Sequence, residues 1–424
     1  MMENGYGLRS FSALSLRDSE FRIMLIVAST LWLYSCLLKF PFMVPSNYSD
    51  VGYLWIRDVY QGHHNLEIPY YQYPLEYPQV IGALVLAAQA ISTWFPIIFD
   101  QYNTFVVVMA ILEYPFMIGT LFNLYKLCGK LNMSHNRIFL YILTTLSFVI
   151  YGFYNWDFVV AYFTTLSIGL YLDHRFDLSS VALTLGVLTK FIPGIMFFAM
   201  LAGLPNNRAR VRFAMIAGVL WGAVNLPFAV ANFDVWVQLF IGYSGPNHQL
   251  QNTWISWVIS LAGLGDIISG ARAGQILSIS IFIYLVARAL LSKRTPLEKI
   301  LLSWYAWYGA IYLFDPQMFI QLFPIVVLTP NFNFIIYRLA DMLNGFIILF
   351  YFLGSSHPGL PKYVTDQLTP FGLINMSAAL RQLIFLAAYF AAFNPKLQGR
   401  LRQVTSSLPL RRLASSLTRP LQSD

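Results

Sequence analysis

The chain has 424 residues, of which 57% are hydrophobic and only 11% are charged, and its formal net charge is +8. A water-soluble domain usually carries about 25% charged residues, so this composition excludes a protein whose whole surface faces water. Lipid must cover much of the surface instead. The basic residues lie at the ends of apolar segments and near the carboxyl terminus, which favours contact with anionic membrane lipid over nucleic acid.

Apolar segments recur along the chain and predict an all-α, polytopic integral membrane protein with about 11–13 transmembrane or re-entrant helices. The first begins at Phe21, is long enough to span a bilayer and lacks a small-residue cleavage site, so we interpret it as a retained signal anchor. Two segments, 253–264 and 317–330, are shorter than the roughly 20 residues that a span requires. In chain order, the segments cover residues 21–40, 79–97, 104–125, 137–154, 158–172, 180–203, 212–231, 253–264, 274–291, 298–314, 317–330, 333–354 and 370–393.

Four groups of Lys and Arg predict the cytoplasmic side, because cytoplasmic loops carry an excess of these residues. We therefore expect residues 1–20 to be a cytoplasmic segment, residues 21–393 to form the transmembrane domain with residues 41–78 as its first external loop, and residues 394–424 to be a basic cytoplasmic tail. A multi-pass protein of the cell membrane with both termini in the cytoplasm follows. The basic groups are Lys126, Lys130 and Arg137; Arg208, Arg210 and Arg212; Lys293, Arg294 and Lys299; and Lys396, Arg400, Arg402, Arg411, Arg412 and Arg419.

Two segments conflict with this orientation. If 79–97 crosses the bilayer fully, the basic group at 126–137 lands outside, so either the segment is re-entrant or the rule fails there. Segment 180–203 places Lys190 at mid-depth, where a charged side chain is costly. Two short helices that meet at Lys190 near the external face would remove that cost and return the chain to the cytoplasm.

The first external loop is rich in aromatic residues, prolines and carboxylates, which is typical of a functional loop. Asp50 follows the first helix closely enough to lie at the outer membrane surface. There its carboxylate could take a proton from an attacking hydroxyl group. The alternative is that Asp50 is a helix cap or a surface carboxylate. Asp58 would project at a similar angle about two turns away if a helix follows Asp50, or would pair with the adjacent arginine. Tyr73 and Tyr77 offer aromatic faces to a sugar or to lipid, and Glu76 is either a ligand for sugar hydroxyls or a solvated carboxylate.

Polar residues farther along the chain add candidates for the same site. Asn155 and Asp157 flank a tryptophan that can serve as a platform for a sugar; an interfacial tryptophan beside an N-capping aspartate is an equal alternative. Lys190 is a lone cation in an apolar segment and is our candidate partner for a phosphate, with a snorkelling lysine as the alternative. Gln317 adds a polar group at membrane depth after a helix-breaking proline. An external loop is expected to add acceptor or lipid contacts through Asn225, Trp236, His248 and Trp254.

No pattern for another kind of catalysis competes with this site. The chain has no phosphate loop, no HExxH and no GxSxG sequence, and its six histidines are not spaced as a metal site. Cys36 and Cys128 lie in or at the end of apolar segments and predict neither a zinc site nor a disulfide framework. We assign no metal ligand, and a requirement for a metal ion stays open.

These motifs occur in an order that resembles the polytopic GT-C glycosyltransferases that use polyprenyl-phosphate sugars. The chain is similar to the phosphatidylinositol-mannoside-type mannosyltransferases of bacteria and archaea, and more distantly to the eukaryotic GPI mannosyltransferase I. The matching stretches are Tyr48-Ser49-Asp50-Val51, Gly62 with Pro69-Tyr70, Leu75-Glu76-Tyr77-Pro78, Asn155-Trp156-Asp157, Thr189-Lys190 with Pro193, Asn225-Leu226-Pro227-Phe228 and Pro316-Gln317. Gly52 stands where the GPI enzyme has the second Asp of an Asp-x-Asp pair, and Asp315 stands where relatives often have Ser.

The resemblance implies a GT-C-like catalytic domain that transfers a hexose, with mannose favoured, from a polyprenyl-phosphate donor to a glycolipid or glycan acceptor on the external face. The reaction would be inverting, would belong to glycolipid or cell-envelope glycan biosynthesis and would need no cofactor besides the lipid-linked donor. Asp50 would be the base, Lys190 the partner of the leaving phosphate, and the loop aromatics the contacts for sugar and lipid. The alternatives are a transporter or flippase of lipid-linked sugars, which usually carries internal repeats that are not seen here, and a polytopic subunit without activity.

Overall fold

The computed structural model describes residues 18–39, 49–56, 66–95, 100–241, 252–263, 268–330, 332–357, 359–365, 369 and 371–393. The expected cytoplasmic tail and nearly all of the expected amino-terminal segment lie outside these ranges. Within them the regular elements are helices, and one isolated β-bridge joins Pro69 to Tyr73. The helices are α1 (Ser19–Leu37), α2 (Asp50–Leu54), α3 (Gln79–Trp94), α4 (Gln101–Lys130), α5 (Asn136–Ile138), α6 (Leu146–Tyr151), α7 (Asp157–Leu172), α8 (Phe176–Val187), α9 (Ile195–Ala202), α10 (Asn207–Ala231), α11 (Phe233–Ile241), α12 (Trp254–Leu261), α13 (Ile268–Leu291), α14 (Pro296–Ala310), α15 (Phe319–Leu328), α16 (Phe334–Ser356), α17 (Lys362–Thr365) and α18 (Leu373–Phe393), with a π-helical turn at Phe139–Leu143 and 3₁₀ turns at Ile192–Gly194 and Pro316–Met318.

Six helices among the described residues are long and apolar enough to cross a membrane. Shorter apolar helices of 10–17 residues accompany them, and a helix satisfies its own backbone groups at membrane depth. The chain is therefore an all-α, multi-pass membrane protein. The long stretches are Ser19–Leu37, Gln101–Lys130, Asn207–Ala231, Arg272–Leu291, Phe334–Gly354 and Leu373–Ala392, and the shorter ones are Gln79–Trp94, Asp157–Leu172, Phe176–Val187, Ile192–Ala202 and Pro316–Leu328.

Residues 137–154 are broken into short pieces, although their hydropathy predicts one continuous segment. α6 begins after Thr145, whose side chain accepts a hydrogen bond from a backbone amide of the new helix at 3.2 Å. Asp341 of α16 accepts from the backbone amides of Leu146 at 2.9 Å and Ser147 at 3.0 Å. The first amides of a helix have no partner within it, so a carboxylate from a distant helix stabilises a break that hydropathy cannot reveal.

The basic groups at the helix ends lie together at one end of the bundle. Lys130 at the end of α4 forms an ion pair with Asp173, and Arg212 in α10 forms one with Asp177. Both aspartates belong to the junction between α7 and α8. Pro296, next to the third basic group, packs against the end of α9. We call this the basic end of the bundle, and its composition agrees with the expectation that these groups share one membrane side.

α3 and α4 form a hairpin in the segment that conflicts with the expected orientation. The amide of Val80 in α3 donates to the carbonyl at the end of α8 at 2.8 Å, and Gln101 of α4 donates to Thr93 of α3 at 2.8 Å. α4 then runs for 30 residues, about 45 Å of helix, to the basic end. There Tyr125 donates to Asp18, just ahead of α1, at 2.6 Å. α3 thus runs away from the basic end and α4 returns to it, and whether the 79–97 segment is re-entrant stays a prediction.

The helix break at Lys190 is confirmed. α8 ends at Val187, a 3₁₀ turn follows at Ile192–Gly194, and α9 begins at Ile195. Lys190 lies in the gap, so the two short helices meet beside its charge.

Candidate active site

Residues 152–157, between α6 and α7, form the framework of the site. The backbone amide of Phe153 donates to Ser35 Oγ of α1 at 2.9 Å. The carbonyl of Tyr154 accepts from the backbone amide of Asp50 at 2.9 Å, which holds the start of α2 against this segment. Ser35 is about 26 Å along α1 from Asp18, so the site lies at the end of the bundle opposite the basic end.

Asp50 is oriented by two amide side chains that reach the same carboxylate oxygen. Asn155 Nδ2 donates to Asp50 Oδ2 at 2.5 Å, and Gln317 Nε2 donates to that oxygen at 3.1 Å. Ser49, not Asp50, caps α2, because its hydroxyl accepts from the amide of Gly52 at 3.1 Å. Asp50 is the first residue of the helix, and its carboxylate is half-buried.

Tyr102 of α4 occupies the space that a side chain at position 52 would need. A Cβ at Gly52 would stand 2.5 Å from the Tyr102 hydroxyl and 3.3 Å from the oxygen of Ser49. A carboxylate side chain here would require Tyr102 to move. The packing around position 52 therefore suits a glycine.

Tyr77 connects Asp50 to Lys190. Its hydroxyl accepts a hydrogen bond from Asn155 Nδ2 at 3.0 Å, so one amide group bonds both Tyr77 and Asp50. Its ring packs edge-on against Trp156, with centroids 4.6 Å apart. Lys190 Nζ lies 5.5 Å from the Tyr77 ring centroid. Trp156 is fully buried, which excludes an interfacial tryptophan.

A tight turn of the first loop places Tyr77 and carries Tyr73 and Glu76. Tyr70 has a φ of 67°, a left-handed conformation that costs on the order of 1 kcal/mol or more for a residue other than glycine. Its amide donates to the Tyr73 carbonyl at 2.9 Å, and its hydroxyl donates to the Tyr77 carbonyl at 2.5 Å. Tyr73 is buried and Glu76 is half-buried within this turn, which leads directly to Tyr77.

Asn225 holds the loop that carries the site, and its expected contact with acceptor or lipid stays a prediction. It is buried, and its Oδ1 accepts from Gln79 Nε2 at 2.7 Å and from Trp236 Nε1 at 3.0 Å. These bonds tie α10 and α11 to the start of α3, immediately after Tyr77. The motif that contains Asn225 therefore fixes the loop that carries the site.

Asp157 and Lys190 form a buried ion pair. Asp157, the first residue of α7, accepts from Lys190 Nζ at 2.6 Å and from Gln321 of α15, both at Oδ1. The side chains are 1% and 9% exposed, which excludes a snorkelling lysine. Gln321 was not foreseen, although its position one helical turn after Gln317 places both amides on one helix face.

Two buried side chains hold the turn that presents Gln317. α14 ends at Ala310, before the predicted end of its segment. Asn344 of α16 donates to the carbonyl of Pro316 at 3.0 Å. Arg381 of α18 donates to the carbonyl of Phe314 and to the side chain of Asn344. These bonds hold the backbone on both sides of Asp315, at the carbonyl groups of Phe314 and Pro316.

Lys39 and Glu113 are further charged residues of this region that the sequence interpretation missed. Lys39 follows the end of α1, and its Nζ lies 5.0 Å from the centroid of the Tyr154 ring. Burial lowers the pKa of Lys39 to about 8, although the negative charge of Asp50 opposes this shift. Glu113 is fully buried in α4, and within the described part of the chain neither of its carboxylate oxygens has a hydrogen-bond partner. The Glu113 carboxyl group interacts electrostatically with Asp157 and Lys190.

Side-chain contacts connect most of the expected site residues, and the resulting arrangement suits proton transfer and anion binding. Hydrogen bonds, an ion pair and ring contacts connect Asp50, Tyr77, Asn155, Asp157, Lys190 and Gln317. Asp58 and His248 lie outside the described residues. Within those residues, no group of three or more His, Cys, Asp or Glu side chains could hold a metal ion. An oriented carboxylate beside buried cations can accept a proton from a hydroxyl group and stabilise a phosphate anion.

Comparison with models of protein families and with curated proteins finds no match to this chain.

Proposed function

We propose that the chain is a membrane glycosyltransferase of the GT-C type. It transfers a hexose, with mannose favoured, from a polyprenyl-phosphate sugar to a lipid or glycan acceptor at the external membrane face. The single observation that carries this proposal is the convergence of Asp50, Asn155 and Gln317. Asn155 and Gln317 lie 105 and 267 residues from Asp50 in sequence, yet the side-chain amides of both donate to the same carboxylate oxygen of Asp50.

The geometry supports Asp50 as the catalytic base. Two donors on Oδ2 fix the plane of the carboxylate, which a base needs if its proton transfer is to be directed. In the proposed step, the acceptor oxygen forms a bond to the anomeric carbon and its proton passes to Asp50. The bond between the anomeric carbon and the phosphate oxygen breaks, and its electron pair stays on the phosphate.

The distribution of charge supports an external site. Basic groups gather at the end of the bundle where α4 meets the start of α1, whereas Asp50 and Asn155 lie at the other end. Cytoplasmic ends carry the excess of Lys and Arg. A donor whose phosphate lies in the outer leaflet would reach Asp50 from that side.

The test is sugar transfer by the purified protein in lipid nanodiscs, supplied with radiolabelled polyprenyl-phosphate mannose and extracted membrane acceptors. The wild type is expected to form a labelled product, and Asp50→Asn to lose about 10²–10⁴-fold in kcat because the amide cannot take the proton. Asp234→Asn is the matched control, since Asp234 is an exposed carboxylate in the first turn of α11.

Three results would contradict the proposal. Transfer by Asp50→Asn at the wild-type rate would remove Asp50 from the role of base. Movement of intact lipid-linked sugar across vesicles without transfer would identify a flippase. Absence of both activities in a folded, monodisperse wild type would indicate a subunit that acts only through a partner.

A further inference from the structure

Lys39 is a buried cation at the site end of α1, beyond the last residue of the helix. It is 7% exposed, and the Tyr154 ring packs against its ammonium group. Within the described ranges, no carboxylate lies at ion-pair distance from it. A buried charge without a counter-ion is costly, and in a membrane protein such a charge points to a function.

Tyr154 places Lys39 beside the proposed base. Its ring lies 5.0 Å from Lys39 Nζ, and its carbonyl accepts from the backbone amide of Asp50 at 2.9 Å. The ionised carboxylate of Asp50 acts electrostatically on Lys39. One residue of the 152–157 segment therefore holds both the cation and the start of the helix that carries the base.

Two other buried cations in the described part of this end of the bundle already have partners. Lys190 is neutralised by Asp157, with their atoms 2.6 Å apart. Arg381 donates to the side chain of Asn344 and to two backbone carbonyls. A phosphate that gains negative charge would meet a neutral pair at Lys190, whereas Lys39 still offers its charge.

We propose that Lys39 binds the phosphate of the lipid-linked donor and stabilises the charge that this phosphate gains on leaving. This inference rests on the proposed function. When Asp50 takes the acceptor proton it becomes neutral, so Lys39 loses its nearest opposite charge as the electron pair of the breaking bond moves onto the phosphate. Proton transfer and departure of the phosphate are thereby coupled through one cation.

The pH dependence of transfer follows from the same cation. Among the described residues, Asp50 of α2 and Tyr154 of the 152–157 segment are the titratable groups that face Lys39. Lys39, with a pKa of about 8, is charged below that pH and loses its proton as the pH rises through it. We therefore expect transfer to fall above about pH 8 in the wild type. Lys39→Arg should stay active at higher pH, because arginine keeps its proton.

The kinetic experiment compares Lys39→Met, Lys39→Arg and the wild type in the same transfer assay. We expect Lys39→Met to lose about 100-fold in kcat, the usual effect of removing one group that stabilises a developing anion, and Lys39→Arg to recover most of it. Lys126→Met is the matched control, because Lys126 also packs on an aromatic ring, 4.1 Å from the centroid of Phe122, but belongs to a basic group far from the site. Thermal unfolding and gel filtration check that each variant is folded.

Binding of farnesyl phosphate and of farnesol separates this inference from the proposed function. Lys39→Met should bind farnesyl phosphate at least 10-fold more weakly than the wild type, while the affinity for farnesol is unchanged. Equal affinity for farnesyl phosphate, or an Arg variant with the same kcat and pH profile as the Met variant, would overturn the role of Lys39. A wild type that binds farnesyl phosphate through Lys39 but transfers no sugar would instead contradict the proposed function alone.

Discussion

The buried pair of Asp157 and Lys190 allows stability and activity to be separated in one set of variants. Removal of one partner of a buried ion pair typically costs about 3–5 kcal/mol, because the other charge stays in the interior without compensation. The side chains here are 1% and 9% exposed, so solvent provides little screening. Lys190→Met leaves the Asp157 carboxylate buried without a cation, and Asp157→Asn leaves the Lys190 ammonium buried without an anion.

A double-mutant cycle measures this coupling. We expect each of Lys190→Met and Asp157→Asn to lower the free energy of unfolding by about 3 kcal/mol or more, and the double variant to lose only about 2 kcal/mol because no unpaired charge remains. Unfolding in a mixed detergent series, followed by tryptophan fluorescence, gives these values. The exposed pair of Arg294 and Glu298 is the control cycle, where the coupling should stay below about 1 kcal/mol.

Sugar transfer by the double variant then distinguishes a structural pair from a functional one. If Lys190 contributes its charge to the reaction, the double variant is more stable than either single variant but remains impaired in kcat. Additive losses in the free energy of unfolding would refute the argument from burial. A stable double variant that transfers sugar at the wild-type rate would refute a catalytic role for Lys190.

Three further changes test the surroundings of the base. Gln317→Leu removes one of the two hydrogen bonds that orient the Asp50 carboxylate. Because a misplaced catalytic group can cost about 100-fold in rate, kcat should fall about 10- to 100-fold with a smaller change in KM for the donor. An unchanged kcat would place Gln317 outside the site. Arg381→Met should lower both the melting temperature and kcat, because the turn before Gln317 loses its anchor, and a variant with full activity would contradict that role. Gly52→Asp should lower the melting temperature through its clash with Tyr102, and it should not create activity that depends on Mn²⁺. Adding Tyr102→Phe should recover part of the lost stability. Wild-type stability in Gly52→Asp would count against the observed packing.

The helical, membrane-spanning character of the chain could be predicted from sequence because hydropathy is a local property. Each apolar segment must satisfy its own backbone groups in lipid, whatever its neighbours are. The break at Lys190 could be foreseen for the same reason, since a lysine inside a continuous span is costly at that position alone. The break within 137–154 could not, because the carboxylate of Asp341 that stabilises it comes from another helix.

Sequence alone also placed the candidate residues in an ordered set of motifs, with Asp50 as the expected base, but it could not give their geometry. Only the tertiary structure decides that Asn155 and Gln317 donate to the same oxygen of Asp50, that Asp157 neutralises Lys190, and that Lys39 lies beside the site. The physical reason is that these contacts join helices far apart in the chain, and the packing of those helices sets the distances. Charge and hydropathy predict where a polar residue is costly, whereas the fold determines which partner offsets that cost.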